Sequence, residues 1–250
     1  MILLKSATEI DAMDQANRVV HRALSLVRDA AAPGVSTFDL DQQAEELIRS
    51  EGGVPAFKGY RGFPGTLCVS INDVIVHGIP SRSVRLREGD VVSVDCGVVL
   101  DGFFGDAAIS FGVGRVSEDA RRLMDTTQEC LKDAIAEVKP DNRLGDVGAA
   151  VQRRAESDGF GVVRDFVGHG IGRSLHEDPQ VPNYGVPGRG QLMKPGLVIA
   201  IEPMITAGDW RVKIDDDGWT ARTEDGRIAA HFEFSVAVTE NGARVLGVEE

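Results

Sequence analysis

Two histidines stand seven residues apart in the segment FVGHGIGRSLHEDPQVPN, which covers residues 166–183. Three glycines surround the first of them, His169, and the second is His176. Imidazole side chains bind divalent metals and transfer protons near neutral pH, and glycines let the backbone approach a neighbouring group closely. The segment is therefore a candidate for metal binding or for proton transfer.

Two aspartates in the segment VVSVDCGVVLDGFFGDAAIS, residues 91–110, are the next candidates. Asp101-Gly102 is typical of a two-residue type I′ hairpin turn. That turn places Asp106 opposite Gly97 and therefore diagonal to Asp95, on the same face of the hairpin. The two aspartates are expected to lie close enough to share a cation. The alternative is a pair of solvated aspartates on a surface hairpin.

Two glutamates in the second half of the chain extend this acidic set. Glu202 ends an apolar run and precedes Pro203, and Glu233 stands between two phenylalanines. A two-residue strand period places Glu233 on the same face as His231. Glu233 is an inward-pointing candidate, and the alternative for it alone is a structural charge in an ion pair.

Four carboxylates in one place need compensation, because like charges at short range cannot all stay ionised. Two divalent cations would balance them and could share bridging carboxylates. A water bound to such ions loses its proton near neutral pH and becomes a nucleophile. Oxygen-rich ligation with one imidazole suits cobalt, manganese, iron or zinc.

Other catalytic patterns fit the chain less well. His176-Glu177 does not begin an HExxH motif, because Pro179 would break the helix that the motif requires. The chain has no GxSxG nucleophile motif, and its glycine-rich segment lacks the Gly-Lys-Ser/Thr of a phosphate-binding loop. Its three cysteines are too scattered for a disulfide framework or a cysteine zinc site.

Helix caps and apolar periodicity indicate the elements that position the candidate residues. Four helices are expected, beginning after the capping box of Ser6 and Glu9, after Ser36 or Thr37, at Ser117, and near residue 143. Pro140 stops the third helix, and the fourth ends near residue 158. Strands are expected over residues 66–71, 90–99, 107–113, 196–205 and 229–238.

The second half of the chain repeats the pattern of the first at an offset of 107 residues. Residues 86–95 align with residues 193–202, which places Asp95 on Glu202, and a second segment matches at the same offset. We therefore predict two related halves, residues 1–112 and 113–250, each with helices followed by antiparallel strands. Packed about a pseudo-twofold axis, they would bring the two carboxylates together. The alternative is that both segments are generic helix and strand.

Composition narrows the class of protein. The chain has 250 residues, 42% of them hydrophobic and 26% charged, and a formal net charge of −12. An acidic chain without a basic cluster is unsuited to nucleic acids or anionic membranes. No apolar run approaches the roughly 20 residues of a membrane-spanning helix, and a signal-peptide pattern is absent. A cytoplasmic location is expected.

Five segments together resemble the type I methionine aminopeptidases of peptidase family M24, over essentially the whole chain. They are GYRGFPGTLCVSINDVIVHGIP, VDCGVVLDGFFGDAA, GHGIGRSLHEDPQVPN, AIEPM and HFEFSVAV. The resemblance implies an α+β pita-bread fold, with two pseudo-twofold-related αβ halves around a central antiparallel sheet and helices on its outer face. It also implies a single catalytic domain over residues 1–250.

The resemblance implies a metal centre with two divalent ions (cobalt, manganese, iron or zinc). Its ligands would be Asp95, Asp106, His169, Glu202 and Glu233. Asp106 and Glu233 would bridge both ions, and Glu202 would also help to deprotonate the attacking water.

The resemblance further implies residues that handle the substrate. His176 would hydrogen-bond the scissile amide and stabilise the tetrahedral intermediate, and His77 would contact the substrate near the cleaved bond. The methionine side chain would bind in a pocket lined by Tyr60, Phe63, Cys68 and Trp219, with Phe57 and Leu175 nearby.

The implied activity is removal of the N-terminal methionine from nascent proteins and peptides when the second residue is small. A hydroxide bound to the two ions would attack the first peptide bond. The partner would be the N-terminal peptide of a nascent protein, and the ribosome would be a candidate location. A monomer is expected, without membrane binding or recognition of nucleic acid sequence.

Two alternatives stay open at this point. One is an Xaa-Pro aminopeptidase or prolidase relative, although those proteins usually carry an extra N-terminal domain for which 250 residues leave no room. The other is a non-catalytic pita-bread binding protein. Arg61 and Leu175 depart from the histidine and the aromatic residue common in the family, which leaves residue preference open. His21 and His231 are interpreted as structural, and the alternative for His231 is a role as the partner of a metal ligand.

Overall fold

Four α-helices form where the caps and the apolar periodicity predict them. The structure is a computed structural model that describes residues 2–248. The helices are α1 (Ala7–Ala30), α2 (Thr37–Ser50), α3 (Glu118–Ala136) and α4 (Leu144–Ser157). The capping box that starts α1 is confirmed: the Glu9 amide donates to the Ser6 hydroxyl, and the Ser6 amide donates to the Glu9 carboxylate. None of the helices in residues 2–248 has the length and apolar character needed to cross a bilayer.

Fifteen short strands are present in the described residues, and they form three sheets. The first seven are β1 (Val54–Pro55), β2 (Leu67–Ile71), β3 (Val74–Val76), β4 (Val91–Leu100), β5 (Phe103–Gly112), β6 (Gly161–Val162) and β7 (Gly168–Gly170). The next four are β8 (Glu177–Val181), β9 (Val198–Ile201), β10 (Met204–Thr206) and β11 (Val212–Ile214). The last four are β12 (Ala221–Thr223), β13 (Ala229–His231), β14 (Glu233–Thr239) and β15 (Gly242–Val245).

The main sheet has nine strands in the order β1-β4-β5-β14-β9-β7-β8, with β2 also pairing β4 and β15 also pairing β14. Strands β5 and β14 pair antiparallel in its middle, so the two halves of the chain meet there. Two three-stranded sheets, β13-β10-β6 and β11-β12-β3, complete the architecture. The division at residue 112 stays a prediction.

The hairpin of β4 and β5 has the predicted register. Asp101 and Gly102 have φ angles of 50° and 78°, as the type I′ turn requires. Gly97 lies opposite Asp106, and Asp95 lies opposite Ala108. The turn chemistry alone therefore places the two aspartates on one face.

Two strands expected to be continuous are each broken at the centre of the molecule. Residues 196–205 divide into β9 and β10 at Glu202-Pro203, and residues 229–238 divide into β13 and β14 at Phe232. Strands β10 and β13 pair with each other in a small sheet, whereas β9 and β14 pair in the main sheet. Proline has no amide hydrogen to continue the ladder, and the Pro203 carbonyl accepts instead from the Phe232 amide at 3.3 Å. The breaks leave Glu202 and Glu233 at the junction of two sheets.

The helices pack on one face of the main sheet and bury their apolar sides there. Helices α1 and α2 cover the first half, in a cluster that includes Leu24, Leu40 and Val94. Helices α3 and α4 cover the second half, in a cluster that includes Leu131 and Ile199. Buried apolar area of this kind contributes about 25 cal/mol per Å² to folding. The opposite face of the sheet is left to form the functional site.

Candidate active site

A cavity of about 180 Å³ lies over the middle of the main sheet. Every site residue predicted from the sequence lines it, and so do three further residues. The lining residues are Phe57, Tyr60, Arg61, Phe63, Cys68, His77, Asp95, Asp106, His169, Leu175, His176, Glu202, Trp219 and Glu233. They come from both halves of the chain, so the cavity depends on the packing of one half against the other.

The carboxylates gather because three adjacent strands present them on one face. Asp95 in β4 and Glu233 in β14 both lie opposite Ala108 of the intervening β5, one on each side. Asp106 is two residues from Ala108 on β5, and therefore on the same face. Glu202 follows Ile201, which pairs with the residue after Glu233. The acidic floor is thus built by strand register.

His169 joins this floor from β7. Its Nδ1 lies 2.9 Å from the Gly170 carbonyl, which can only accept, so Nδ1 carries the hydrogen. Its Nε2 lone pair then faces the carboxylates, 3.9 Å from Asp106 Oδ2 and 3.6 Å from Glu202 Oε1. Burial lowers the pKa of His169 to about 4, so the ring is neutral. A neutral imidazole whose other nitrogen donates to a carbonyl is the usual form of a metal ligand.

Glycine at position 170 allows this approach. A Cβ there would collide with the carbonyl oxygen of Asp178 on the neighbouring strand β8. A Cβ on Gly168 would likewise collide with the Ala200 carbonyl oxygen of β9. The glycines that flank His169 therefore let its short strand fit between two others.

Burial raises the pKa of every acidic group in the floor. The pKa of Asp95 is raised to about 7, and those of Asp106, Glu202 and Glu233 are raised further above their ordinary values by burial and mutual repulsion. Among the residues described, four buried side-chain atoms lack a hydrogen-bond partner: Asp95 Oδ1, Asp106 Oδ1, Glu233 Oε1 and His231 Nε2. Such atoms are costly unless a cation satisfies them. The donor set therefore fits divalent metal ions.

His231 lies beside the carboxylates of the acidic floor, closer than a purely structural role would require. Its Nε2 is 3.9 Å from both Glu202 Oε2 and Glu233 Oε2, and the three groups could themselves hold an ion. Its backbone is fixed by Ser110, whose hydroxyl donates to the His231 carbonyl and accepts from its amide. One signal of this position was visible in the sequence: the strand face that His231 shares with Glu233.

Asn183 is a functional neighbour that sequence reasoning did not select. It is 1% exposed, and its side-chain amide donates to the Glu202 carbonyl at 2.9 Å. The bond holds the backbone at the break before Pro203. Its only signal in the sequence was its place at the end of the histidine segment.

His176 and Tyr60 form one rim of the cavity. The Tyr60 hydroxyl and His176 Nδ1 are hydrogen-bonded at 3.0 Å, and the His169 and His176 rings are 4.2 Å apart. The pKa of His176 is lowered mainly by partial burial of the ring and, to a smaller extent, by the nearby positive charge of Arg61. The residue as a whole is exposed. His176 is therefore a neutral group beside the metal-binding floor.

His77 stands on the opposite rim, directly after β3. Its φ of 60° lies in the left-handed region, which is uncommon for a histidine. Its ring contacts Phe166 at 5.2 Å and Trp219 at 6.2 Å between ring centroids. Burial lowers its pKa to about 4.

One end of the cavity is apolar. Phe57, Phe63, Cys68 and Leu175 are each no more than 8% exposed, and they pack in one cluster. The Trp219 ring meets Phe63 edge-on at 5.1 Å. The two departures from the resembled family are both here: Leu175 is inside the apolar end, and Arg61 lies exposed over the Tyr60 ring at 5.4 Å. An apolar slot thus adjoins an acidic floor.

A metal-binding floor beside an apolar slot, on this fold, defines a metallopeptidase. Residues 11–240 match metallopeptidase family M24, and the chain belongs to that family. It is 50% identical to a methionine aminopeptidase of Clostridium perfringens over 98% of both chains. The crystal structure of a methionine aminopeptidase from Thermotoga maritima superposes with a TM-score of 0.98, at 47% identity and full coverage of both chains. The resemblance seen in the sequence is confirmed.

The pita-bread fold is shared more widely than this. The prolidase of Pyrococcus horikoshii matches with a TM-score of 0.80 at 23% identity, over 100% of this chain and 65% of that one. At that identity the match shows the fold alone. The α+β fold predicted from the sequence is confirmed, and the prolidase alternative is not favoured.

The raised carboxyl pKa values predict how the metal-free protein responds to pH. These groups hold protons in the folded state that they lose when unfolded, so their contribution to stability is lost as pH rises through the folded-state pKa values. Between about pH 7 and 8, where unfolded histidines and cysteines stay mostly neutral, the melting temperature should fall in the presence of chelator. Bound divalent ions replace those protons, so metal-loaded protein should show no such fall. A metal-free melting temperature that rises over this window would contradict the raised values.

Proposed function

We propose that this chain is a methionine aminopeptidase, which removes the N-terminal methionine of peptides and nascent proteins whose second residue is small. The observation that carries the proposal is the convergence of four carboxylates and His169 at the floor of an aromatic-lined cavity. The high identity to methionine aminopeptidases over the whole chain supports it.

Five residues would hold two divalent ions: Asp95, Asp106, His169, Glu202 and Glu233. The central positions of Asp106 and Glu233, on the two strands that pair at the middle of the sheet, suit them to bridge both ions. Cobalt, manganese, iron and zinc all suit these ligands. When bound, such ions polarise a carbonyl group and lower the pKa of a coordinated water.

Glu202 would move the proton of the attacking water. Its carboxylate lies at the edge of the floor, with 13% of its side chain exposed, whereas Glu233 is 2% exposed. In the metal-free protein, burial and the neighbouring aspartates raise its pKa. A carboxylate within hydrogen-bond reach of a bound water can accept its proton as a general base.

His176 would stabilise charge on the substrate. If the Tyr60 hydroxyl donates to Nδ1, the neutral imidazole carries its hydrogen on Nε2 and can donate to the amide being cleaved. A donor aimed at the developing negative charge stabilises the transition state more than the ground state. His77, on the opposite rim, would contact the substrate beside the cleaved bond.

The apolar slot would select methionine. Tyr60, Phe63, Cys68 and Trp219, with Phe57 and Leu175, offer aromatic and sulfur contacts to an unbranched thioether. The slot supplies shape rather than hydrogen bonds, so its depth would set the preference. Arg61 at the rim would lie nearer to the residues that follow the methionine.

The test is hydrolysis of Met-Gly-Met-Met compared with Xaa-Pro dipeptides, after chelation and metal add-back. We expect release of methionine from the tetrapeptide that is abolished by chelator and restored by manganese or cobalt, with no cleavage of Xaa-Pro bonds. Cleavage of Xaa-Pro bonds alone would favour a prolidase instead. Failure of a folded sample to bind any divalent ion would favour a non-catalytic binding protein.

The cytoplasmic location, the monomeric state and action near the ribosome stay predictions from the sequence. The acidic net charge and the absence of an apolar span support the first. The physiological metal depends on availability more than on affinity.

A further inference from the structure

The loop that carries His176 is folded around one carboxylate. The side chain of Glu177, the next residue, turns away from the cavity and accepts hydrogen bonds through Oε1 from the backbone amides of Arg173 at 2.8 Å and Ser174 at 3.2 Å. Its other oxygen, Oε2, accepts from Lys5 Nζ at 2.6 Å. The carboxylate therefore links the two ends of the loop on the side that faces away from the cavity.

Lys5 reaches this loop from the N-terminal segment, 172 positions away in the sequence. The Lys5 and Glu177 side chains are 6% and 10% exposed, so the ion pair is almost fully buried. Lys5 Nζ also donates to the Leu3 carbonyl at 3.0 Å, and the Lys5 amide donates to the Gly196 carbonyl at 2.7 Å. The lysine is held at both its backbone and its side chain, ahead of α1.

The loop backbone lies directly against the lysine. A Cβ on Gly172 would collide with Lys5 Cε and with Glu177 Oε1, so a side chain there would have to displace the ion pair. On the cavity side, Leu175 is 3% exposed in the apolar slot and His176 is hydrogen-bonded to Tyr60. The loop is thus fixed from two directions, by Tyr60 at the imidazole and by the buried ion pair at the backbone.

We propose that Lys5 and Glu177 are positioning residues for His176, acting through the loop backbone. The inference rests on the proposed function, because it assigns them to the residue that would stabilise charge on the substrate. Removing one partner of a buried pair leaves the other charge uncompensated, and the loop can relieve it by opening. A displacement of about 1 Å at a catalytic group can cost about 100-fold in rate.

The experiment is a double-mutant cycle on the metal-loaded full-length protein, with Met-Gly-Met-Met as substrate. Lys5→Met should lower kcat by about 10- to 100-fold while metal content stays that of the wild type. In a His176→Ala background the same change should lower kcat by less than about twofold, because the group it positions is already gone. Equal losses in both backgrounds would overturn the proposal, since a general structural defect gives additive effects.

Arg173→Ala is the matched control, because it removes a positive charge from the same loop. Arg173 lies mostly exposed and pairs with Glu9 at 3.3 Å, so the change should alter kcat by less than about twofold. Glu177→Gln, which keeps an acceptor for the loop amides, serves as the second variant if Lys5→Met folds poorly. It should show the same dependence on His176.

Amide hydrogen exchange provides a readout that does not depend on activity. In metal-free protein, the backbone amides of residues 173 and 174 should exchange faster in Lys5→Met than in wild type. In Arg173→Ala, the amide of Ser174 should exchange as it does in wild type. Unchanged protection there would overturn the proposal even if turnover falls. Failure of the wild type to release methionine would count against the proposed function, and the exchange result would still decide whether the ion pair holds the loop.

Discussion

Replacement of His176 by alanine is expected to lower turnover by about 100- to 1,000-fold, the cost of losing one donor to a developing oxyanion. The reason is geometric. His176 lies on the rim, with its Nδ1 bonded to Tyr60, whereas His169 has its Nε2 among the carboxylates. The variant should therefore bind metal as the wild type does, and its loss should fall on kcat rather than on metal content.

Metal analysis and steady-state kinetics on the same preparation check this result. His169→Ala is the matched comparison, because it removes an imidazole from the same segment but should reduce metal content. Tyr60→Phe should lie between wild type and His176→Ala, since it removes only the partner that orients the ring. If His176→Ala lost the metal and His169→Ala kept it, the assignment of the two histidines would be reversed.

Half of the acidic floor could be predicted from the sequence because short-range turn chemistry decides it. Asp101-Gly102 fixes the hairpin register, and that register alone brings Asp95 and Asp106 together. The 107-residue offset then indicated that Glu202 corresponds to Asp95. These inferences needed only local conformation and one internal comparison.

Features that depend on long-range pairing were beyond the sequence. The strand breaks at Pro203 and Phe232 arise because β10 and β13 pair with each other in a different sheet. The apolar periodicity is the same whether or not such a break occurs, so it predicted continuous strands. The contact between Lys5 and Glu177 joins residues 172 positions apart, and nothing local marks either of them.

The roles of Arg61 and Leu175 illustrate the same limit at single positions. The sequence showed that both depart from the resembled family but not what each would contact. Leu175 lines the apolar slot, so under the proposed function it would affect the fit of the first side chain of the substrate. Arg61 lies over Tyr60 at the rim, and it affects the charge felt by His176.

Glu233→Gln is expected to abolish metal-dependent turnover and, at the same time, to stabilise the metal-free protein. Glu233 is 2% exposed and raises the pKa of Asp106 by repulsion, and one of its oxygens has no hydrogen-bond partner within the described residues. A neutral amide of the same shape removes that repulsion. It also removes one of the two carboxylates proposed to bridge both ions, so the metal should no longer be retained.

Thermal unfolding with and without metal separates these two effects. Wild type should gain about 2.7 kcal/mol of stability when free metal is about 100 times its dissociation constant, and Glu233→Gln should gain little at the same concentration. In chelator the variant should melt above wild type at pH 8, because glutamine has no carboxyl proton that is lost on unfolding. Glu240→Gln, in the exposed turn that follows the same strand, should change neither curve. A Glu233→Gln protein that kept its metal and melted lower in chelator would mean that the acidic floor is held together by something other than cations.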